Sequence, residues 1–372
     1  MLGLYIHVPF CRKRCIYCDF YSTTLGIEMS QLYTDALCRE LKVYRGEELS
    51  TIYFGGGTPS QLTLSQFSQI FETIHHNFSL LSDAEITMEV NPDDVTQEFA
   101  MELTRWGVNR VSLGIQTFND ERLKFLNRRH TAQEAIQAVE RINSVGIKNI
   151  SVDLIYGLPN ETLEEWREDV QLALSLSITH LSSYCLMIEE GTALFKLWEK
   201  GQVKEMEEDM ELSMFQSLIE MTEYKGFEHY EISNFSKPGF ESRHNLMYWY
   251  NAEYYGIGAG ASGYVDGVRY KNHGPIRHYL KAVEEGSARI NEEHLSHREQ
   301  MEEEMFLGLR KKSGVSMARF EEKFGRSFQE LYGDIVKDLI QQGLMQVDGD
   351  HVRMTKKGLF LGDTVAERFI LE

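Results

Sequence analysis

The sequence predicts an α/β protein in which parallel strands alternate with helices, followed by a small C-terminal α+β unit. Three observations indicate this. From Gly3 to about Met187, short apolar runs alternate with longer segments of helical period, which is the pattern of repeated βα units. Polar or glycine-rich residues directly follow most of the apolar runs. From about His294, three helical stretches precede a hairpin, so the 372 residues are expected to form a large unit and a smaller one.

Six short apolar runs are the candidate strands of the large unit. They are Leu4–Val8, Thr51–Phe54, Glu85–Val90, Arg110–Ile115, Ile150–Tyr156 and His180–Leu186. Between them lie amphipathic stretches such as Leu64–Phe78 and Leu163–Leu176, whose apolar residues recur at three and four positions. Six parallel strands with crossover helices result. Periodicity alone leaves open whether the sheet is doubly wound, a closed barrel or a partial barrel.

The pattern changes after Met187. A long acidic helix is predicted around Glu205–Lys225, and an aromatic, glycine-rich region follows from Tyr230 to Tyr270. We therefore expect three parts, with residues 1–230 as the α/β core, 231–293 as an extension and 294–372 as the C-terminal domain.

The C-terminal part is predicted to be winged-helix-like. Its expected elements are helices at Met301–Leu309, Met317–Phe324 and Phe328–Gln342, then a hairpin over Leu344–Thr355 that turns at Asp348-Gly349. Such units often bind DNA. The acidic run Glu302–Glu304 and the overall charge favour a packing role instead.

The formal net charge of −19 at pH 7 makes nucleic acid a poor partner, because a field of this sign repels phosphate backbones. The longest apolar runs are well short of the roughly 18 residues that a membrane helix needs. No basic stretch with a long apolar core precedes the first motif. We therefore expect a cytoplasmic protein that is not an integral membrane protein.

Three of the five cysteines, Cys11, Cys15 and Cys18, lie within eight positions. Clustered thiols in a reducing compartment indicate a metal site rather than a disulfide framework. The spacing puts three soft thiolates on one short loop, close enough to bind one face of an iron–sulfur cube. A zinc site is the alternative, although no fourth Cys or His follows at short spacing. Cys38 and Cys185 lie in apolar segments and are predicted to be buried small hydrophobes.

The segment YIHVPF over Tyr5–Phe10, leading into these cysteines, resembles the radical S-adenosylmethionine family. It is similar in particular to the branch that contains oxygen-independent coproporphyrinogen III oxidase and a heme chaperone. The resemblance implies a partial (β/α)6 barrel and a [4Fe–4S] cluster whose fourth iron is chelated by S-adenosylmethionine. It also implies a reductant such as flavodoxin or ferredoxin, whose electron splits a carbon–sulfur bond of the cofactor to give a 5′-deoxyadenosyl radical.

Further motifs follow the predicted strands and should therefore gather at the carboxyl ends of the sheet. Gly55–Pro59 looks like the family's cofactor-binding glycine motif, and Glu89 and Asp153 are acids in apolar strands, a costly place for an unpaired charge. Arg129 is the alternative to Arg128 as the arginine whose guanidinium contacts the cofactor. The resemblance implies that the cofactor is contacted by Tyr5, Tyr17, Gly56, Gly57, Thr58, Glu89, Gln116, Arg128, Asp153 and Met187.

Two departures from the oxidase pattern favour the chaperone branch. The oxidase has a fourth cysteine two residues beyond the triad, where this sequence has Phe20. The oxidase also has an N-terminal arm that helps to close over its substrate, whereas this sequence begins four residues before Tyr5. The motif HNxxYW over His244–Trp249 resembles a third marker of the chaperone branch.

The expected function is therefore binding of heme and its delivery to an unidentified acceptor protein. His244 is a candidate axial ligand for heme iron, with a packed polar residue as the alternative. The enzymatic alternative is oxidative decarboxylation of coproporphyrinogen III in porphyrin biosynthesis, and whether the protein is an enzyme stays open. A third alternative is a metal-stabilised scaffold that does not use the cofactor.

Overall fold

A twelve-stranded sheet runs through the computed structural model, which describes residues 2–24 and 27–371. Its strands are β1 Leu2–Val8, β2 Glu48–Gly56, β3 Ser79–Val90, β4 Arg110–Gln116, β5 Asn149–Tyr156, β6 His180–Cys185, β7 Glu228–Glu231, β8 Asn234–Ser236, β9 Glu253–Ile257, β10 Ser262–Val265, β11 Val268–Asn272 and β12 Arg289–His294. The spatial order is β12-β11-β10-β9-β1-β2-β3-β4-β5-β6-β8-β7.

Helices cover the sheet and build the C-terminal unit. They are α1 Ser30–Leu41, α2 Leu64–Asn77, α3 Gln97–Arg105, α4 Asp120–Phe125, α5 Ala132–Ser144, α6 Leu163–Ser175, α7 Ala193–Glu199, α8 Glu208–Tyr224, α9 Arg243–Trp249, α10 Ile276–Glu284, α11 His297–Gly308, α12 Met317–Phe324, α13 Phe328–Gln341, α14 Lys356–Leu359 and α15 Gly362–Glu367. Short 3₁₀ helices span Ile27–Met29, Pro59–Gln61 and Pro92–Asp94.

The six strands β1–β6 pair in parallel and in chain order, as predicted. Helices pack on the sheet, so the strands are buried and read as short apolar runs. β3 begins at Ser79, six residues before the predicted start, because its first residues pair with the start of β2 where the sheet is exposed. Capping boxes at Thr63 and Thr162 begin α2 and α6 at the predicted positions.

The parallel strands form an open, partial barrel. β1 pairs in parallel with β9 on its outer side and β6 pairs antiparallel with β8, so β1 and β6 do not meet. This confirms the expectation of a partial (β/α)6 barrel. The aromatic and glycine-rich region supplies β8–β11 and α9, and β12 completes the edge of the sheet.

The C-terminal unit has a separate apolar core of its own, in which Met305, Phe320, Tyr332 and Val352 are buried. Its three main helices and its hairpin were predicted, and the turn at Gly349 has a φ of +59°. A short strand, β13 Val315–Ser316, pairs with β15 His351–Met354, which pairs with β14 Met345–Asp348. Within residues 2–24 and 27–371, none of the helices combines the length and the hydropathy that a bilayer crossing requires.

A carboxylate joins the extension to the α/β core. Glu40 of α1 is 5% exposed and accepts hydrogen bonds from the hydroxyl of Tyr279 at 2.6 Å, the Nδ2 of Asn272 at 2.7 Å and the backbone nitrogen of Gly258 at 2.9 Å. Burial raises the pKa of this carboxyl, and the three donors oppose that rise. Glu40 therefore connects α1 with β11, α10 and the loop after β9.

We expect Glu40→Ala to lower the free energy of unfolding by about 2–4 kcal/mol, because it leaves buried donors without an acceptor. Glu40→Gln keeps one acceptor and should lose less. The measurement is urea unfolding followed by circular dichroism. Glu284→Ala removes an exposed carboxylate 4.0 Å from Arg39 and serves as the control, with an expected loss of less than about 0.5 kcal/mol. Equal losses for Glu40→Ala and the control would contradict this role.

Candidate functional site

A cavity of about 380 Å³ lies where the parallel strands end. The loops that follow β1, β2, β3 and β6 contribute to its lining, together with residues within β4 and β5 and Arg128 from the segment after α4, and the cysteine and glycine motifs lie there as predicted. Among the predicted site residues, those that line it are Cys11, Cys15, Tyr17, Cys18, Gly56, Gly57, Thr58, Glu89, Gln116, Arg128, Asp153 and Met187.

The loop after β1 carries the three cysteines to one side of this cavity. Backbone hydrogen bonds fix its base, since Cys11 donates to Thr23 at 2.9 Å and Thr23 donates to Pro9 at 2.7 Å. The sulfur of Cys11 lies 3.4 Å from the hydroxyl of Thr58. Burial raises the pKa of Cys11, and it raises that of Cys18 to about 11. These two thiols are therefore protonated at neutral pH without metal, and metal binding would release their protons.

Phe20 lies at the mouth of the cavity and is 64% exposed. At this position the oxidase branch was expected to carry its fourth cysteine. Met187, 67% exposed, lines the same cavity from the segment after β6. The mouth therefore presents two large apolar side chains to solvent.

The glycine motif at the end of β2 brings backbone groups to the cavity. Gly57 donates its backbone N–H to the carbonyl of Val8 at 2.9 Å, which holds the motif against the base of the cysteine loop. A Cβ on Gly57 would lie 2.8 Å from the backbone of Pro9, and Gly56 has a φ of +110°. Only glycine accommodates both the close approach and this conformation without strain.

Two carboxylates form part of the cavity lining. Glu89 accepts a hydrogen bond from the hydroxyl of Tyr53 at 2.7 Å and one from the backbone N–H of Gly56 at 3.3 Å. Asp153 accepts from the hydroxyl of Ser112 at 2.9 Å. Withdrawal from water raises the pKa of Asp153 and raises that of Glu89 to about 7. In its ionised form each acid can accept hydrogen bonds or balance a positive ligand, and burial disfavours that form.

Gln116 and Arg128 are two further predicted residues that line the cavity. Gln116 ends β4 with a φ of +73°, a strained conformation for a residue with a side chain. Arg128 donates to the sulfur of Cys15 at 3.3 Å and to the Oδ1 of Asn91 at 2.8 Å. Arg129 does not line the cavity, because its guanidinium pairs with Asp93 at 2.9 Å and with Asp94 at 3.1 Å.

The structure does not bring Tyr5 and His244 to the cavity. Tyr5 lies beside the ring of Tyr53, and its hydroxyl is hydrogen-bonded to His7. His244 is 1% exposed, with Nδ1 2.7 Å from the hydroxyl of Thr51 and Nε2 2.9 Å from the hydroxyl of Tyr248. Since both of its ring nitrogens are engaged, His244 would have to leave these partners before it could bind iron.

Several residues of the lining were missed in the sequence. Among them are Ser112, Tyr184 and Cys185. Asn91 also lines the cavity, directly after β3 where a polar residue at this edge was expected, and it contacts both Thr58 and Arg128. Cys185 was predicted to be a buried hydrophobe, but it is half-buried and faces the cavity, whereas Cys38 is buried as expected. Cys185 ends β6, so the rule that located the other site residues also applies to it.

Comparison with protein families and known proteins supports this description. The model of the radical SAM superfamily matches residues 5–173, and that of the HemN C-terminal domain matches residues 295–361. The heme chaperone HemW of Lactococcus lactis subsp. lactis (strain IL1403) is 45% identical over 99% of this chain and 97% of its own length. The heme chaperone HemW of Bacillus subtilis (strain 168) is 40% identical over the whole of both chains.

Among solved structures, coproporphyrinogen III oxidase (HemN) from Escherichia coli, a radical SAM enzyme, superposes with a TM-score of 0.86. The superposition covers 99% of this chain and 90% of that one at 22% identity, so it establishes a shared fold. The full-length similarity to HemW proteins establishes the family. The chain belongs to the radical SAM superfamily, and within it to the family of HemN-like proteins that includes the heme chaperone HemW.

Proposed function

We propose that this protein is a cytoplasmic heme chaperone that binds heme and delivers it to an acceptor protein. The protein is also proposed to carry a [4Fe–4S] cluster on Cys11, Cys15 and Cys18, and to bind S-adenosylmethionine in the adjoining cavity. The observation that carries it is the full-length similarity to HemW proteins, together with a cavity in which the three thiols face a glycine cradle and two carboxylates. The acceptor is unidentified, and a flavodoxin or ferredoxin is the proposed reductant.

The residues at the cavity suit these cofactors. Three soft thiols on one loop are ligands for iron in a cluster. Among the described residues, no three His, Cys, Asp or Glu side chains converge on a single ion, which a zinc site would require. A four-iron cluster does not require such convergence, since each thiolate binds a different iron.

Five residues of the lining have a proposed part in holding the cofactors. Gly56 and Gly57 would let backbone groups approach the methionine end of S-adenosylmethionine, while Glu89 and Asp153 accept hydrogen bonds from its hydroxyl or amino groups. Arg128 would stay beside the sulfur of Cys15 and stabilise its thiolate. When bound, the cluster can supply one electron to the sulfonium of the cofactor.

The decarboxylating oxidase is not favoured. The relatives with the higher identities are named heme chaperones, and Phe20 stands where the oxidase branch was expected to carry a fourth cysteine. The similarity to the oxidase structure, at 22% sequence identity, shows a shared fold only.

The two functions predict different products. After anaerobic reconstitution of the cluster, we expect stoichiometric heme binding in a spectroscopic titration. With S-adenosylmethionine, reductant and coproporphyrinogen III, we expect no protoporphyrinogen, because the proposed function is to carry heme and not to decarboxylate its precursor. Conversion of coproporphyrinogen without heme binding would overturn the proposal.

Cys15→Ala tests the ligand assignment. Loss of one of three thiolates should leave the cluster unstable, so the variant should retain little iron and sulfide and lose the broad visible absorption of the cluster. Cys185→Ala is the matched control, since this thiol lines the same cavity but lies outside the triad. It should keep the iron content of the wild type. A Cys15→Ala protein with a full complement of iron and sulfide would show that Cys15 is not a ligand.

His244 is the proposed heme ligand, and its burial makes the prediction specific. Heme binding through Nε2 requires this nitrogen to leave the hydroxyl of Tyr248. Tyr248→Phe should therefore speed heme association by about threefold to tenfold, because one hydrogen bond no longer opposes release of the ring. His244→Ala should weaken heme affinity by roughly tenfold or more. Stopped-flow mixing with heme measures the first effect and equilibrium titration the second. Unchanged affinity in His244→Ala would exclude His244 as the ligand.

A further inference from the structure

Arg110 is a buried arginine that the functions described so far leave unexplained. It is 1% exposed at the start of β4, among the largest fully buried side chains of the described chain. Among the described residues, no hydrogen bond or ion pair to its guanidinium is formed, and its buried Nε has no partner. A guanidinium is always charged in proteins, and burying it is costly unless something compensates the charge.

The register of the sheet places Arg110 directly below the carboxylates of the cavity. Arg110 pairs with Thr87 of β3, and two residues further along the same strands Ser112 pairs with Glu89. Side chains two residues apart on a strand share a face, and laterally paired residues point to the same side. Ser112 donates to Asp153 of β5 at 2.9 Å, so both acids lie on the face of Arg110, one step closer to the cavity.

The groups around Arg110 come from several elements. Glu89 and Asp153 face it from β3 and β5, and the guanidinium lowers the pKa of both carboxyls against the larger effect of burial. Neutral or uncharged groups complete the surroundings. His180 of β6 and His244 of α9 have lowered pKa values, through burial first and this positive charge second, and Tyr53 and Tyr230 have raised ones. Glu89 and Asp153 lie on the cavity side of Arg110. Glu85, two residues before Thr87 on β3, lies on the same face in the opposite direction, and it accepts hydrogen bonds from the backbone N–H groups of Arg243 and His244.

We propose that Arg110 is a positioning residue for the cofactor cavity, a buried cation that opposes the effect of burial and favours the ionised form of Glu89 and Asp153, the form that accepts hydrogen bonds. Without this cation, two acids on one buried face would repel each other, and one of them would take up a proton. A protonated acid is a poorer acceptor for hydroxyl or amino groups and no longer balances a sulfonium charge. The inference rests on the proposed function, since the ligand that the acids would hold is S-adenosylmethionine.

Binding of S-adenosylmethionine against pH tests this role. The holoprotein with reconstituted cluster is titrated with S-adenosylmethionine by calorimetry between about pH 6 and 8.5. Arg110→Gln should bind about fivefold more weakly than the wild type at pH 7, the effect of a one-unit rise in a pKa of about 7 for an acid that must be ionised. The gap should narrow toward pH 8.5, where the acid ionises in both proteins. Arg110→Lys, which keeps the charge, should restore most of the affinity.

Stability without S-adenosylmethionine gives a second, independent readout. A carboxyl with a raised pKa in the folded protein loses its favourable contribution as pH rises through that pKa. Because Arg110→Gln raises the pKa further, its melting temperature should fall below that of the wild type by a margin that widens from pH 6 to 8.5. Loss of packing alone would give a constant margin.

A matched control and the contradicting outcomes complete the test. Arg141→Gln removes a partly buried guanidinium that donates to the carbonyl of Val95 at 2.9 Å, outside the cavity, and should bind S-adenosylmethionine as the wild type does at every pH. The role of Arg110 would be overturned if the wild type and Arg110→Gln bound S-adenosylmethionine equally well, or if the ratio of their affinities stayed constant with pH. Failure of the wild type to bind S-adenosylmethionine would instead remove the proposed function, and the stability margins would still decide whether Arg110 keeps the acids ionised.

Discussion

Parallel pairing of β1–β6, with helices packed on the sheet, is the constraint on which the rest of the structure depends. Parallel strands in register end at the same edge, so the loops after β1, β2, β3 and β6 meet there with side chains from β4 and β5. The hydrogen bond from Gly57 to Val8 then holds two of these loops together, the one with the cysteines and the one with the glycines. The cavity is thus a consequence of strand pairing first and of side-chain chemistry second.

Much of this could be predicted because the signals were local. Short apolar runs located β1–β6, and their carboxyl ends located Cys11, Gly56 and Glu89, while Asp153 was found as an acid within an apolar strand. The same rule would have found Cys185, whose apolar neighbours pointed to a core residue instead. β9 escaped notice because Gly256 resembles a turn residue in sequence. In the fold it gives room for close packing, since a Cβ there would lie 1.8 Å from the carbonyl of Ser262.

Other features depend on contacts between distant parts of the chain, which no local pattern encodes. The burial of His244 follows from its contact with Thr51, nearly two hundred positions away in sequence. The choice between Arg128 and Arg129 depended on which guanidinium met Asp93 and Asp94. Tyr53 connects two such regions, because it donates to Glu89 and its ring stacks on His244 at 5.0 Å. Through this ring the proposed cofactor site and the proposed heme ligand are in direct physical contact.

Delivery of heme is what separates a chaperone from a protein that merely binds heme. The most direct measurement mixes the reconstituted, heme-loaded protein with an excess of a heme-free acceptor whose holo form has a distinct absorption spectrum. If the protein delivers heme, the acceptor spectrum should develop faster than with a loaded Cys15→Ala variant, and the porphyrin should be recovered chemically unchanged. Heme that stays on the protein, or a porphyrin with altered side chains, would contradict this function.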